Sequence, residues 1–177
     1  MKLVISAGLM ALALSAGTAL AWPKADDFRH KAMASDAFEI ASSKMALGLS
    51  SNAKVKSFAK MMIHDHTMTT EHLLKGSGMT KAEVDKKIAP GPDGKYAAND
   101  LVDRSHADML SKLGSEKGKD FDSDFMHGQV SGHKDAVDMF KEFSKYGDKR
   151  SMRLWARKTL PTLKLHLSKA EALDKGM

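Results

Sequence analysis

The sequence predicts an all-α fold, a four-helix bundle whose two helical hairpins are joined by one crossover carrying a short extra helix. Three observations carry this reading. No stretch alternates apolar and polar residues with period two over a strand's length, and Val and Ile are few. Ala, Leu, Met and Lys dominate, and these side chains lose little freedom in a helix. Four long helical patterns are separated by links that run short, long, short.

The first pattern runs from Asp26, a capping residue, to Leu49, where Gly48 and Ser50-Ser51 end it. The second runs from Asn52 to Lys75, with Asn52 as cap and Gly76-Ser77-Gly78 as stop. So short a link makes the pair antiparallel neighbours. Thr80 caps a short helix over Lys81–Ile88, and Pro90-Gly91-Pro92-Asp93-Gly94 breaks the chain. A further helix fits Ala97–Leu113 and completes the crossover. The third long pattern spans Asp120–Tyr146. The fourth starts at an Asp148 cap and reaches Leu173, with Pro161 inside it.

Residues 1–21 read as a leader rather than as part of the fold. Lys2 gives a positive start, Leu3 to Leu14 is apolar, and Ala19-Leu20-Ala21 forms a small-residue cleavage pattern. The apolar stretch is shorter than the ~20 residues a spanning helix needs. The expectation is a cleaved export signal followed by one domain, residues 22–177, with no transmembrane segment in the mature chain. Removing Lys2 with the leader lowers the formal net charge from +6 to +5. The chain has no Cys, which excludes disulfides, iron–sulfur clusters and c-type haem attachment. An exported protein, periplasmic or secreted, is therefore expected to behave alike in oxidising and reducing surroundings.

At ~100° per residue, the helix faces follow from numbering alone. On the second long helix, His66 shares a face with Val55, Phe58, Ala59, Met62, Thr69 and Leu73. On the third, His133 lies with Met126, Val130, Val137 and Phe140, and Asp122 and Gln129 fall on the same face. On the fourth, His166 joins Met152, Trp155, Thr159, Leu163 and Ala170. On the first, Glu39 sits at the edge of a face holding Phe28, Ala32, Ser35, Ser42 and Ala46. Each long helix thus aims one strong donor inward, with His166 the least well aligned in height.

Ionisable groups in a core are costly unless they are paired or bind metal, and bundles build metal sites from such convergent side chains. Glu39, His66, His133 and His166 are accordingly the candidate metal ligands, for Zn, Fe, Mn or Cu, with Asp65, Asp122 and Gln129 orienting them. The competing reading is a hydrogen-bonded core network of the same imidazoles with Asp65, Asp122, Ser35 and Ser42. The long helices lack the Glu-x-x-His pairs of carboxylate di-iron sites. A second pattern, Met61, His64, Met68 and His72, forms a stripe of soft donors suited to Cu(I), or else a solvated face.

Other chemistries find no support. There is no Gly-rich phosphate loop, no G-x-S-x-G and no Cys nucleophile. Lys residues are interspersed with acids and aromatics are sparse, which argues against nucleic acid. The basic surplus instead favours an anionic envelope surface, such as lipid head groups or cell-wall polymers.

Three segments carry a family resemblance: FEIASSKMALGLSSNAKVKSFAKMMIHDHT (38–67), DFDSDFMHGQVSGHKDAVDMF (120–140) and LWARKTLPTLKLHLSKAEAL (154–173). Together they resemble an exported bacterial family, domain of unknown function 4142, over about residues 26 to 174. Its marks are Glu39-Ile40, Asp65-His66, Phe121-Asp122, Gln129 with His133, and Leu160-Pro161 with His166-Leu167. The resemblance implies a ferritin-like four-helix bundle, export and an outer-membrane association. It implies no settled activity. What remains open is whether the core donors serve metal buffering or stress protection, or hold together a non-enzymatic envelope protein.

Overall fold

Among the described residues, six helices form, close to where the apolar periodicity places them. The structure is a computed structural model describing residues 22–177, so the expected leader lies outside the described residues. The helices are α1 (Ala25–Leu49), α2 (Ala53–Leu74), α3 (Lys81–Lys87), α4 (Arg104–Ser115), α5 (Gly118–Tyr146) and α6 (Arg150–Asp174). No strand occurs among the described residues. The fold is an all-α bundle of four long helices, and α3 and α4 lie in the crossover.

Side-chain caps set three of the six helix starts. Asn52 Oδ1 accepts from Lys54 N at 2.9 Å and starts α2. Thr80 and Glu83 form a reciprocal capping box on α3. The structure corrects three expected boundaries. Asn99 Oδ1 accepts from Leu101 N and Val102 N, folding that stretch into a turn, so α4 begins only after the Asp103 cap. Neither Asp26 nor Asp148 caps its helix: the residues before α1 and α6 are Lys24 and Lys149, without side-chain capping bonds. Asp148 instead accepts from Ala25 N at 2.8 Å, while its own N–H donates to the Pro23 carbonyl. This ties the start of α1 to the α5–α6 turn. α6 continues through Pro161, which lies on its exposed side.

α1 packs on α2 and α5 on α6, and the hairpins meet mainly through α1 and α5; the α2–α6 seam is the sparsest side. The crossover lies on the outer side of α1. Leu101, Val102, Ala107 and Leu110 join the apolar cluster that holds Ala37 and Ile40, and Phe38 meets the His106 ring at 4.8 Å between centroids. From Asp36 to Ser43, α1 is therefore buried all round.

The apolar core comes in two parts. At one end, Phe28 stacks on Phe143 (4.0 Å, 10°) and meets Phe140 edge-on, with Trp155 against both Phe28 and Phe140. At the other end, Val55, Phe58, Met62, Phe121, Phe125 and Met126 pack together with Ala170. On three helices a histidine falls between the two parts: His66 between Met62 and Leu73, His133 between Val130 and Ala136, His166 between Leu163 and Ala170. The bundle has a polar waist.

Candidate metal centre

The waist gathers the three imidazoles. The ring centroids of His66, His133 and His166 stand 5.4–5.6 Å apart, and one nitrogen from each lies within 4.8 Å of the others. They are 4%, 1% and 2% exposed. Helical spacing directs them inward, and α2, α5 and α6 each deliver one.

Each ring is held from behind by one nitrogen. His66 Nδ1 is 2.8 Å from Asp36 Oδ1 on α1, and Thr70 Oγ1 donates to the other Asp36 oxygen at 3.1 Å. His166 Nε2 is 2.9 Å from Asp65 Oδ2 on α2. His133 Nδ1 donates to the Gln129 carbonyl at 2.9 Å, one turn back on α5. A carbonyl can only accept, so this bond fixes the His133 tautomer and leaves Nε2 as a lone pair. The remaining nitrogens, His66 Nε2, His133 Nε2 and His166 Nδ1, are buried without a hydrogen-bond partner among the described residues. Burying an unpaired acceptor costs about 1–3 kcal/mol, and here three are buried side by side.

Burial keeps His66 and His166 neutral. Burial, outweighing the nearby carboxylates Glu39 and Asp65, pulls His66 down from 6.5 to about 4. Burial likewise takes His166 to about 4, against the pull of its Asp65 bond. Burial also pushes Asp36 well above the usual carboxylate range, partly countered by the Thr70 bond. At neutral pH the imidazoles of His66 and His166 are therefore lone-pair donors, the form a metal requires.

The other sequence-selected residues divide. Glu39 is buried but stands outside the cluster of three: its Oε1 is 3.6 Å from His133 Nδ1, the nitrogen already bonded to Gln129, and its Oε2 has no partner. Gly132 leaves it room, since a Cβ there would come within 3.2 Å of Oε1. Glu39, not His166, is thus the donor out of line. Asp65 orients His166 across the α2–α6 seam rather than its neighbour His66. Gln129 serves through its carbonyl, and its side-chain Nε2 donates to Ser42 Oγ at 3.4 Å. Asp122 is buried with Oδ1 unpartnered and makes no hydrogen bond to the imidazoles.

Asp36 is the residue that sequence reasoning missed. Its signal was an acid within a stretch of Ala, Met, Phe and Ile, where a solvated face has no room.

A cavity of about 550 Å³ reaches the centre from the surface. His66, His166, Asp36 and Asp65 line it, as do Met68, His72, Trp155, Lys75 and Lys158. His72 stacks flat on Trp155 at 4.8 Å (7°). Partial burial, then the charges of Lys75 and Arg29, lower the pKa of His72.

No helix among the described residues is long and apolar enough to cross a membrane. No curated protein matches this sequence. Among solved structures, one described as CopM in the Cu(II)-bound form is similar at a TM-score of 0.63 and 15% identity, spanning 88% of this chain and 99% of the other. At that identity the likeness concerns the fold. The family described as Domain of unknown function (DUF4142) matches residues 10–173, and the chain belongs to it.

Proposed function

We propose that this protein binds a transition metal ion at the waist of its bundle through His66, His133 and His166, and serves in metal buffering or stress protection outside the cytoplasm. The observation that carries this is the set of three unpartnered, buried nitrogens on rings whose other nitrogens are fixed by Asp36, Gln129 and Asp65. A structural network would be expected to spend those lone pairs on donors. Carboxylate or carbonyl backing of the far nitrogen is the habitual support of a metal-bound imidazole. Nitrogens bound to one ion at ~2.0–2.1 Å stand roughly 3.3–3.6 Å apart, so the observed triangle closes by small ring movements.

Among Zn, Fe, Mn and Cu, an all-imidazole set favours copper or zinc over the harder ions, and Cu²⁺ heads the affinity order. The fold shared with a protein described in a Cu(II)-bound form agrees with copper. Three donors are one fewer than a sealed structural zinc site uses, which suits exchange. Glu39 supports His133 as a second acceptor at Nδ1.

The test is metal analysis of protein purified without a polyhistidine tag and offered Cu²⁺ or Zn²⁺. Wild type is expected to retain about one equivalent and the His66→Ala/His133→Ala variant under a tenth of that. Equal, low retention by both would end the proposal.

A second reading concerns the surface. Residues 149–170 hold seven basic residues and no acid, and Leu154 and Leu165 are exposed on the same stretch. This favours contact with an anionic envelope surface. Binding to phosphatidylglycerol vesicles but not to phosphatidylcholine vesicles is expected, weakening steeply with salt. Equal binding to both would remove this reading.

A further inference from the structure

The structure divides the Met/His stripe of α2. Met61 belongs to a separate hollow with Phe58 and Leu173, where its Sδ accepts from Lys169 Nζ at 3.6 Å. His64 is exposed. Met68 and His72, by contrast, line the same cavity as His66 and His166. Four residues apart on one helix, their side chains are neighbours. Met68 is 57% exposed, so its thioether is open to solvent. The stacking of His72 on Trp155 uses the face of the imidazole, fixes its plane and leaves its edge nitrogens for a ligand.

One thioether beside one imidazole is a soft donor pair suited to Cu(I). Lys75 and Lys158 line the same cavity beside Glu71 and Asp65. The two ammonium groups work against a hard divalent ion held by charge alone. A thioether draws on polarisability, which those charges do not cancel.

We propose that Met68 and His72 form a docking site for a cuprous ion at the mouth of the cavity, from which the ion passes inward to the three imidazoles. Passage is ligand exchange, with no change in oxidation state. The inward step rests on the metal centre proposed above; the docking site does not.

Ag(I), soft and redox-inert, is the probe. Wild-type protein carrying ¹³C-methyl methionine is titrated with Ag(I) and followed by NMR. The Met68 methyl is expected to shift during the first equivalent. Met68→Leu should take up Ag(I) about tenfold more slowly, while Zn²⁺ uptake stays unchanged, because zinc has little use for a thioether. An unmoved Met68 methyl, or a variant that loads Ag(I) as fast as wild type, overturns the docking site. In the His66→Gln/His133→Gln variant, Ag(I) should still shift the Met68 methyl. That result separates the two steps: if Met68 responds in wild type while the imidazole signals never do, the inward passage fails and the docking site stands.

Discussion

Adding Cu²⁺ or Zn²⁺ to the metal-free protein raises its Tm by roughly 5–10 °C when the free ion stands at about a hundred times its Kd. Such an excess contributes about 2.7 kcal/mol, and a chain of this size gains about 2–4 °C per kcal/mol. The gain comes from the folded state alone, because only the docked helices bring His66, His133 and His166 within 4.8 Å of one another. His66→Ala/His133→Ala should show no gain. Asp36→Asn is the finer test. It keeps the volume but removes the carboxylate behind His66 Nδ1, and loss of such backing typically costs 10–100-fold in metal affinity. The Tm gain at fixed metal should shrink accordingly while the fold survives. Unchanged affinity in Asp36→Asn would mean the carboxylate does not orient that ring.

Acid is expected to destabilise the metal-free protein well above the range where ordinary carboxylates titrate. His66 and His166 stay neutral in the folded state until about pH 4, whereas the unfolded chain protonates them near 6.5. Between those values the unfolded state binds more protons, so stability is full above about pH 6.5 and falls as pH drops toward 4. Asp36 acts in the opposite sense. Its raised value makes the folded state the better proton binder, so its contribution is present at low pH and lost as pH rises through that value. Two rings outweigh one carboxyl, so the net effect is a loss of stability on acidification. Thermal melts at pH 7, 6, 5 and 4.5 measure it. A flat profile would show that the rings are not held neutral, and His166→Gln should reduce the slope.

The imidazoles were legible in the sequence because three independent helices each carried one histidine on a largely apolar face, and a helix presents that face to its neighbours. What lies behind each ring was less legible. Asp36 escaped because α1 has no single inner face: α2 and α5 cover one side and the crossover covers the other, so Asp36, Phe38, Glu39 and Ile40 are buried together. A wheel resolves one direction, and α1 has two. Glu39 was rightly placed inside, but which edge of His133 it meets depends on side-chain rotamers that periodicity does not encode. Asp65 was visible as an acid beside His66. Its true partner, His166, is 101 residues away and follows only from the packing of α2 on α6. Helix ends went astray where a residue suited to capping was drawn into a tertiary contact, as Asp148 was by Ala25.

The three backing bonds start from three different helices: Asp36 on α1, Asp65 on α2 and Gln129 on α5. Two of them cross from one helix to another. An occupant of the centre would therefore be gripped only while all four long helices are seated together. Slippage of any one would loosen a ring and let go of the cargo, so the residence time of the ion and the breathing of the bundle should be one and the same quantity.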